Sequence, residues 1–402
     1  MTGLGYRELV NRDVLAWVVV SLVGKLPLAM APLAMVFLTR ELPGGYSLGA
    51  ALAAVYVVGE VLGAALLGLL LDTARLRGQL SAGLAVGAVA FGVLAFAQST
   101  WLLVAAAFLA GAGPSTTPGG LRAVLLGLLP DDHVPRAMSM EAMLTQVTWA
   151  VAPALVTVVA LGVAPQAPAV VAASGTAIAA WLVWILPRGH VTSRKGSATT
   201  RTVLSAWPIY LISAAALAQL AVAELVLPAL LEYRGFAVGW AGVLLTGFAA
   251  CSAVGALVYG WRRWPGGLRT QGFVLLVVTA ACVVFVALGT SLPIIAIALL
   301  AAGLFQSGVL VTRSLVLRER LPVGAHAAGF SMMYAVTGVG YGLTASAAAW
   351  VLAHGTPEWA VLGGVAITLV LTAVSALAER RQRADQRVTH PRSDSTAATT
   401  PP

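Results

Sequence analysis

The sequence predicts an all-α integral membrane protein of twelve transmembrane helices, arranged as two pseudo-symmetric six-helix bundles. Three observations carry that expectation: the composition, the count of apolar spans and an internal repeat. Hydrophobic residues make up 59% of the 402-residue chain and charged residues only 10%, where a soluble domain carries roughly 25% charged. So little charge cannot coat a globule of this size. The composition argues against a soluble enzyme, a disordered chain and a nucleic-acid binder, and points to the lipid bilayer as the first partner. The two cysteines, Cys251 and Cys282, sit inside apolar runs and form neither a disulfide framework nor a metal-ligand spacing. No cofactor is expected.

A membrane-crossing helix needs about 20 mostly apolar residues. Twelve stretches qualify: 14–38, 47–71, 80–97, 101–121, 139–163, 167–187, 206–229, 239–260, 272–289, 292–312, 327–353 and 359–378. The first is too long for a signal-peptide core and is read as a retained helix. Period-2 alternation is absent, so a membrane β-barrel is not expected. Basic residues in the short connections set the orientation. With the N-terminus inside, the cytoplasmic connections hold Arg7, Arg12, Arg75, Arg77, Arg122, Arg136 and many later arginines, while the other side receives Arg40 and Arg234. Both termini are therefore expected in the cytoplasm of a multi-pass plasma-membrane protein. The formal charge of +9 is a topology signal facing anionic lipid, with no nucleic acid implied.

The longest polar interruption divides six spans from six. The expected organisation is a first bundle over 1–187, a cytoplasmic linker over 188–205, a second bundle over 206–379 and a disordered tail over 380–402. The tail is rich in Arg, Ser, Thr and Pro and cannot bury a core. Shifting the second half back by 192 positions superposes Gly63 on Gly255, Gln79 on Gln271, Gly111 on Gly303, Pro130 on Pro322 and Thr145 on Thr337. One gapless offset holds from the second span of each half to the fifth. Six spans return the chain to its starting side, so the halves are parallel repeats about an axis along the membrane normal.

Twelve spans, a central basic loop and parallel six-helix halves resemble the major facilitator superfamily. A loop motif adds to the likeness. The family's Gly-x-x-x-Asp-Arg-x-Gly-Arg-Arg between spans two and three corresponds here to Gly68, Asp72, Thr73, Arg75 and Arg77. Gly68 and Asp72 match in place, Thr73 replaces the first basic residue and Arg75 the second glycine. The drug antiporters of the family carry Gly-Pro-x-x-Gly-Gly in span five, where this chain has Ala152-Pro153 without the glycines. The resemblance implies a secondary active transporter of a small organic solute, working by alternating access as a monomer, with proton-coupled export as the expected direction. It also implies a cytoplasmic gate at Gly68, Asp72, Arg75, Arg77 and Arg136, with Asp72 meeting the start of span eleven.

A charge in the bilayer costs about 2.5–3.5 kcal/mol on the insertion scale and needs a reason. Lys25, Glu60 and Glu224 lie well inside spans. Lys25 and Glu60 both fall roughly 18 Å above the cytoplasmic helix ends, on consecutive antiparallel spans, and are expected to pair. That pair is either a structural salt bridge or part of a substrate or proton site. Glu224 either reaches the outer water of a cavity or exchanges protons there; a carboxylate held out of water can do so near neutral pH. Glu60 and Glu224 are the candidates for proton coupling. Gln146, Gln219, Gln306, Tyr334 and Tyr341 complete the expected substrate cavity, while spans three, six, nine and twelve have no Asn, Gln or charge in their interiors. In the family those four spans face lipid.

Two other classes compete. A membrane-embedded enzyme would need a nucleophile–base pair or metal ligands at depth; the five histidines are expected in loops or the tail. A non-transporting sensor or scaffold on the same fold is the other alternative, suggested by the degenerate loop motif. A pump with its own nucleotide site is disfavoured, since no phosphate-binding loop motif is present.

Overall fold

The computed structural model of the chain describes residues 11–40, 45–72, 74–187, 200–237, 239–262 and 264–389, without the side chains at 46, 47, 353, 380 and 382–389. Among these residues the regular structure is entirely helical. Helices α1 (Arg12–Thr39), α2 (Gly45–Leu69), α3 (Leu76–Phe96), α4, α5 (Val134–Gly162) and α6 (Ala167–Leu182) form the first half. Helices α7 (Trp207–Leu225), α8 (Trp240–Trp261), α9 (Leu268–Leu288), α10 (Leu292–Arg320), α11 (His326–His354) and α12 (Pro357–Thr389) form the second.

Eleven helices among the described residues are long and apolar enough to cross a membrane. The expected twelfth is α4, which is broken into Thr100–Ala112, a 3-10 turn over Pro114–Thr116 and Thr117–Leu128. Pro114 and Pro118 lack the amide hydrogens that a continuous helix would use there. Neither piece is long enough alone. A similar break follows α7, where the chain restarts as a short helix, Leu227–Tyr233, with Pro228 in its first turn.

Helix α12 continues to Thr389, past the expected start of the tail at 380. Most of the expected linker, 188–199, and the end of the tail, 390–402, lie outside the described residues, and Thr200–Leu204 is a short helix leading into α7.

The repeat seen in the sequence is a repeat of contacts. Gly63 on α2 lies against the Ala112 carbonyl, and Gly255 on α8 lies against that of Leu304, 192 positions later. Gly111 meets the carbonyl of Tyr56 and Gly303 that of Phe248, again at the same offset. The glycines let paired helix backbones touch, as small residues do in membrane bundles. Gln79 ties its loop by accepting from the Asp72 amide and donating to the Leu70 carbonyl; Gln271 donates to the carbonyls of Trp264, Pro265 and Gly266. A side chain at Gly111 or Gly303 must push two backbones apart. Gly111→Val and Gly303→Val are expected to lower stability by roughly 1–3 kcal/mol each, read as a drop in the thermal transition of the purified protein.

Helices α3, α6, α9 and α12 pack within their own halves and present apolar side chains such as Val89, Trp181, Phe285 and Val370 outward. The halves meet through α2 and the second piece of α4 against α11, and through α5 against α8 and α10. These contacts concentrate at the arginine-rich face, where the chain enters α1. There one hydrophobic cluster joins both halves, from Trp17, Leu80 and Leu121 to Leu315, Phe330 and Met333. Toward the opposite face the clusters separate, one built from the first half and another from the second. On α11, residues 327–331 are buried on every side, whereas beyond Tyr341 exposed Leu343, Ser346 and Trp350 alternate with buried Thr344 and Ala348. The molecule is thus closed at the arginine-rich face and parted at the other.

Candidate functional site

The deep charges do not pair as the sequence predicts. Lys25 lies thirteen residues after the start of α1 and Glu60 nine before the end of α2, and Cα–Cβ bonds lean toward a helix's N-terminus. Helices α1 and α2 run in opposite directions, so Lys25 leans to the arginine-rich face and Glu60 away from it. Lys25 instead donates to Glu141 on α5 at 2.7 Å. Arg122, on the second piece of α4, donates to both oxygens of Glu141 at 2.8 Å. Thr145 also donates to this carboxylate, at 3.2 Å. The Glu141 side chain is 3% exposed and Lys25 8%. A guanidinium, an ammonium and a hydroxyl converge on one buried carboxylate, the arrangement that lets such charges leave water. Arg122 also lies over the ring of Phe330, 5.4 Å from its centre, and Phe330 belongs to the other half.

Glu60 makes a bond across the halves: Tyr334 on α11 donates to it at 2.8 Å. Beside it Val61 touches Gly338, also on α11. Gln146 on α5 donates to Ser252 on α8 at 2.8 Å, and Ser252 is hydrogen-bonded to Ser307 on α10. Glu60, Tyr334 and Gln146 therefore sit where the two halves meet below the parted face, and all three are half-buried. Glu224 lies on the second half alone, with the Tyr341 hydroxyl 3.4 Å away. Gln306 donates to the Ala216 carbonyl at 2.8 Å and is buried. Gln219 is 1% exposed and neither of its amide atoms has a partner within the protein. The expected cavity set of eight thus divides into three residues between the halves, four within the second half, Gln219, Glu224, Gln306 and Tyr341, and Lys25, which is held by Glu141 within the first.

The gate residues are not drawn together. At the closed face Asp72 is exposed and accepts from the amide of Ala74, within its own turn. Arg77 donates to the carbonyls of Trp184 and Leu186 in its own half. Arg75 is exposed at the start of α3, and Arg136 has two buried nitrogens without a hydrogen-bond partner. Gly68 touches α11: a β-carbon there would lie 2.5 Å from that of Ser331. Gly119 approaches the same serine. An ion pair between Asp131, after α4, and Arg318, near the end of α10, bridges the halves beside them. Closure is expected to fail in Gly68→Leu and to survive in Asp72→Asn, whose amide oxygen still accepts from Ala74. Cysteine labelling of the buried residue Ser331, replaced by Cys, reads this: fast labelling in the Gly68 variant and slow in the other.

Three charged residues near the closed face escape the sequence reading. Arg122 and Arg313 fall just outside the predicted spans, and Glu141 just inside one. The structure lengthens α4 to Leu128 and α10 to Arg320, and starts α5 at Val134. The leucines and valines of 123–129 and 314–317 are the signal that the helices continue. His326, expected in a loop, is the buried first residue of α11 and hydrogen-bonds the carbonyls of Arg318 and Leu321.

The Major Facilitator Superfamily model matches residues 18–226, just over half of the chain, and the chain belongs to that family of membrane transporters. No curated protein matches its sequence. Among solved structures it is similar to the human organic anion transporter MFSD10 (TETRAN), at 15% identity, with 90% of this chain and 99% of that chain covered and a TM-score of 0.72. It is also similar to FucP in the outward conformation, at 16% identity, covering 90% and 97%, with a TM-score of 0.69. A bacterial homologue of the iron transporter ferroportin, in its outward-facing state, gives 16% identity, 92% and 100% coverage and a TM-score of 0.69. Identities this low speak for the fold alone.

Proposed function

We propose that the chain is a secondary active transporter that moves a small organic solute by rocking its halves, coupled to protons through Glu60. The observation that carries this reading is the bond from Tyr334 of one half to Glu60 of the other, at the floor of the parted face. A hydroxyl can donate to a carboxylate or accept from a carboxylic acid, so the contact tolerates either protonation state. It must break when the halves part at that level. Proton occupancy and conformation are thereby linked. The arginine-rich face is the cytoplasmic one, by the loop arginines, which makes the present arrangement outward-facing. Export of solute against inward proton movement at the plasma membrane is the direction we assign, and Glu224 is a second proton site nearer the outer water. The protein acts as a monomer, since each chain holds both halves.

The test is flux in proteoliposomes, with and without an imposed pH gradient. Solute movement that responds to the gradient supports the proposal. A chain that binds solute yet moves none under any gradient would be the sensor or scaffold instead.

A further inference from the structure

The charges inside the membrane are sorted by depth, and the sorting has chemical consequences. Arg122 lies six residues before the end of α4, Glu141 seven after the start of α5 and Arg313 seven before the end of α10. At 1.5 Å per residue all three are about 10 Å from the arginine-rich helix ends, and Lys25 reaches down to join them. Arg313 is on α10, which packs across the halves against α5, the helix of Glu141. The layer holds three cations and one carboxylate. Glu60 and Glu224 lie nearer the parted face and are bonded to tyrosines.

Two donors in this layer are left over. The Nε of Arg122 and the Nε of Arg313 are buried without a hydrogen-bond partner. Arg313 uses Nη1 on the Ser213 carbonyl and has no acidic side chain within ion-pair distance among the described residues. Arg313 is half-buried; a guanidinium held partly out of water without an anion is costly, and the planar fork of N–H donors matches the oxygens of carboxylate, sulfonate or phosphate groups. Phe330 is what covers Arg122, and it comes from the second half. Rocking that opens the arginine-rich face removes Phe330 and turns Arg122 toward the new cleft, opposite the half that holds Arg313.

We infer that the transported solute is an organic anion, whose acidic group is taken between Arg122 and Arg313 when the arginine-rich face is open. This rests on the transporter reading above. It also supplies a release step. On return to the present conformation Phe330 covers Arg122 again, Glu141 remains its counter-charge, and the anion is left facing Glu60 and Glu224, which repel it.

The experiment is flux by the full-length protein in proteoliposomes with probes of fixed charge. Benzenesulfonate, succinate and glycerol phosphate serve as anions, benzyltrimethylammonium and choline as cations, and methyl glucoside as the neutral probe. We expect flux of at least one anion, reduced about tenfold or more in Arg122→Gln and in Arg313→Gln, the loss of a hydrogen bond to a charged group. Arg122→Lys keeps the charge and is expected to retain more flux. Arg122→Gln leaves Glu141 paired with Lys25 and is expected to keep normal size-exclusion behaviour; the triple variant Lys25→Met/Arg122→Gln/Glu141→Gln, which strands no charge, guards against a folding defect and is expected to show the same loss of anion flux. Flux of cationic or neutral probes only, unchanged in Arg122→Gln, overturns the inference and leaves the transporter reading standing. No flux of any probe overturns both.

Discussion

Glu60→Gln is expected to abolish the response of flux to a pH gradient while leaving exchange of solute for solute measurable. The glutamine keeps the shape of the side chain and still accepts from the Tyr334 hydroxyl, which the wild-type carboxylate meets at 2.8 Å. What it cannot do is carry a proton. Loss of uphill movement with retained exchange is the pattern expected when a coupling group is removed from an otherwise working carrier. Tyr334→Phe tests the other end of the bond. It leaves the carboxyl in place and should keep the gradient response while shifting its midpoint. A gradient response intact in Glu60→Gln would move the coupling role to Glu224, checked by Glu224→Gln.

Glu141→Gln is expected to be the most damaging single substitution for folding. The carboxylate holds Lys25 at 2.7 Å and Arg122 at 2.8 Å, and its own side chain is 3% exposed. Replacing it leaves two buried cations facing each other. Stranding a buried charge costs roughly 3–5 kcal/mol, so little correctly folded protein should be recovered in detergent. Lys25→Met removes one of the three charges and leaves the Arg122–Glu141 pair, and should be milder. Lys25→Met in the Glu141→Gln background leaves one cation in place of two and should restore part of the yield. Equal yields of wild type and Glu141→Gln, measured by fluorescence size exclusion, would mean that the triad contributes nothing to stability.

How the sequence foretells this molecule differs between its levels. The helices are legible because lipid demands long apolar runs. The repeat is legible because the glycines at 63, 111, 255 and 303 serve backbone contacts that only a small residue allows. The mid-membrane layer is less so. Depth along a helix can be counted, and counting from the helix ends predicts a Lys25–Glu60 pair that does not form. The count is silent on the lean of a side chain, and that lean sends Lys25 to Glu141 and Glu60 to Tyr334. Span ends are blurred for a related reason. A predicted span stops at its first arginine, yet Arg122 and Arg313 lie within continuing helix because the protein itself supplies their surroundings. The gate shows the limit of a motif. Gly68 keeps its place for close approach to α11, whereas Asp72, with its neighbouring pattern altered, serves its own turn.

The central claim is that the two faces open in alternation, and paired distance measurements test it most directly. Cys251 and Cys282 are replaced by serine, and spin labels are placed on exposed positions of each face. Asp132 and Glu319 flank the Asp131–Arg318 bridge on the arginine-rich side, while Leu161 on α5 and Val243 on α8 stand on the other. The account predicts that the first distance lengthens as the second shortens when Gly68→Leu blocks closure or when solute is added. Two distances that stay fixed, or that change in the same direction, would contradict it.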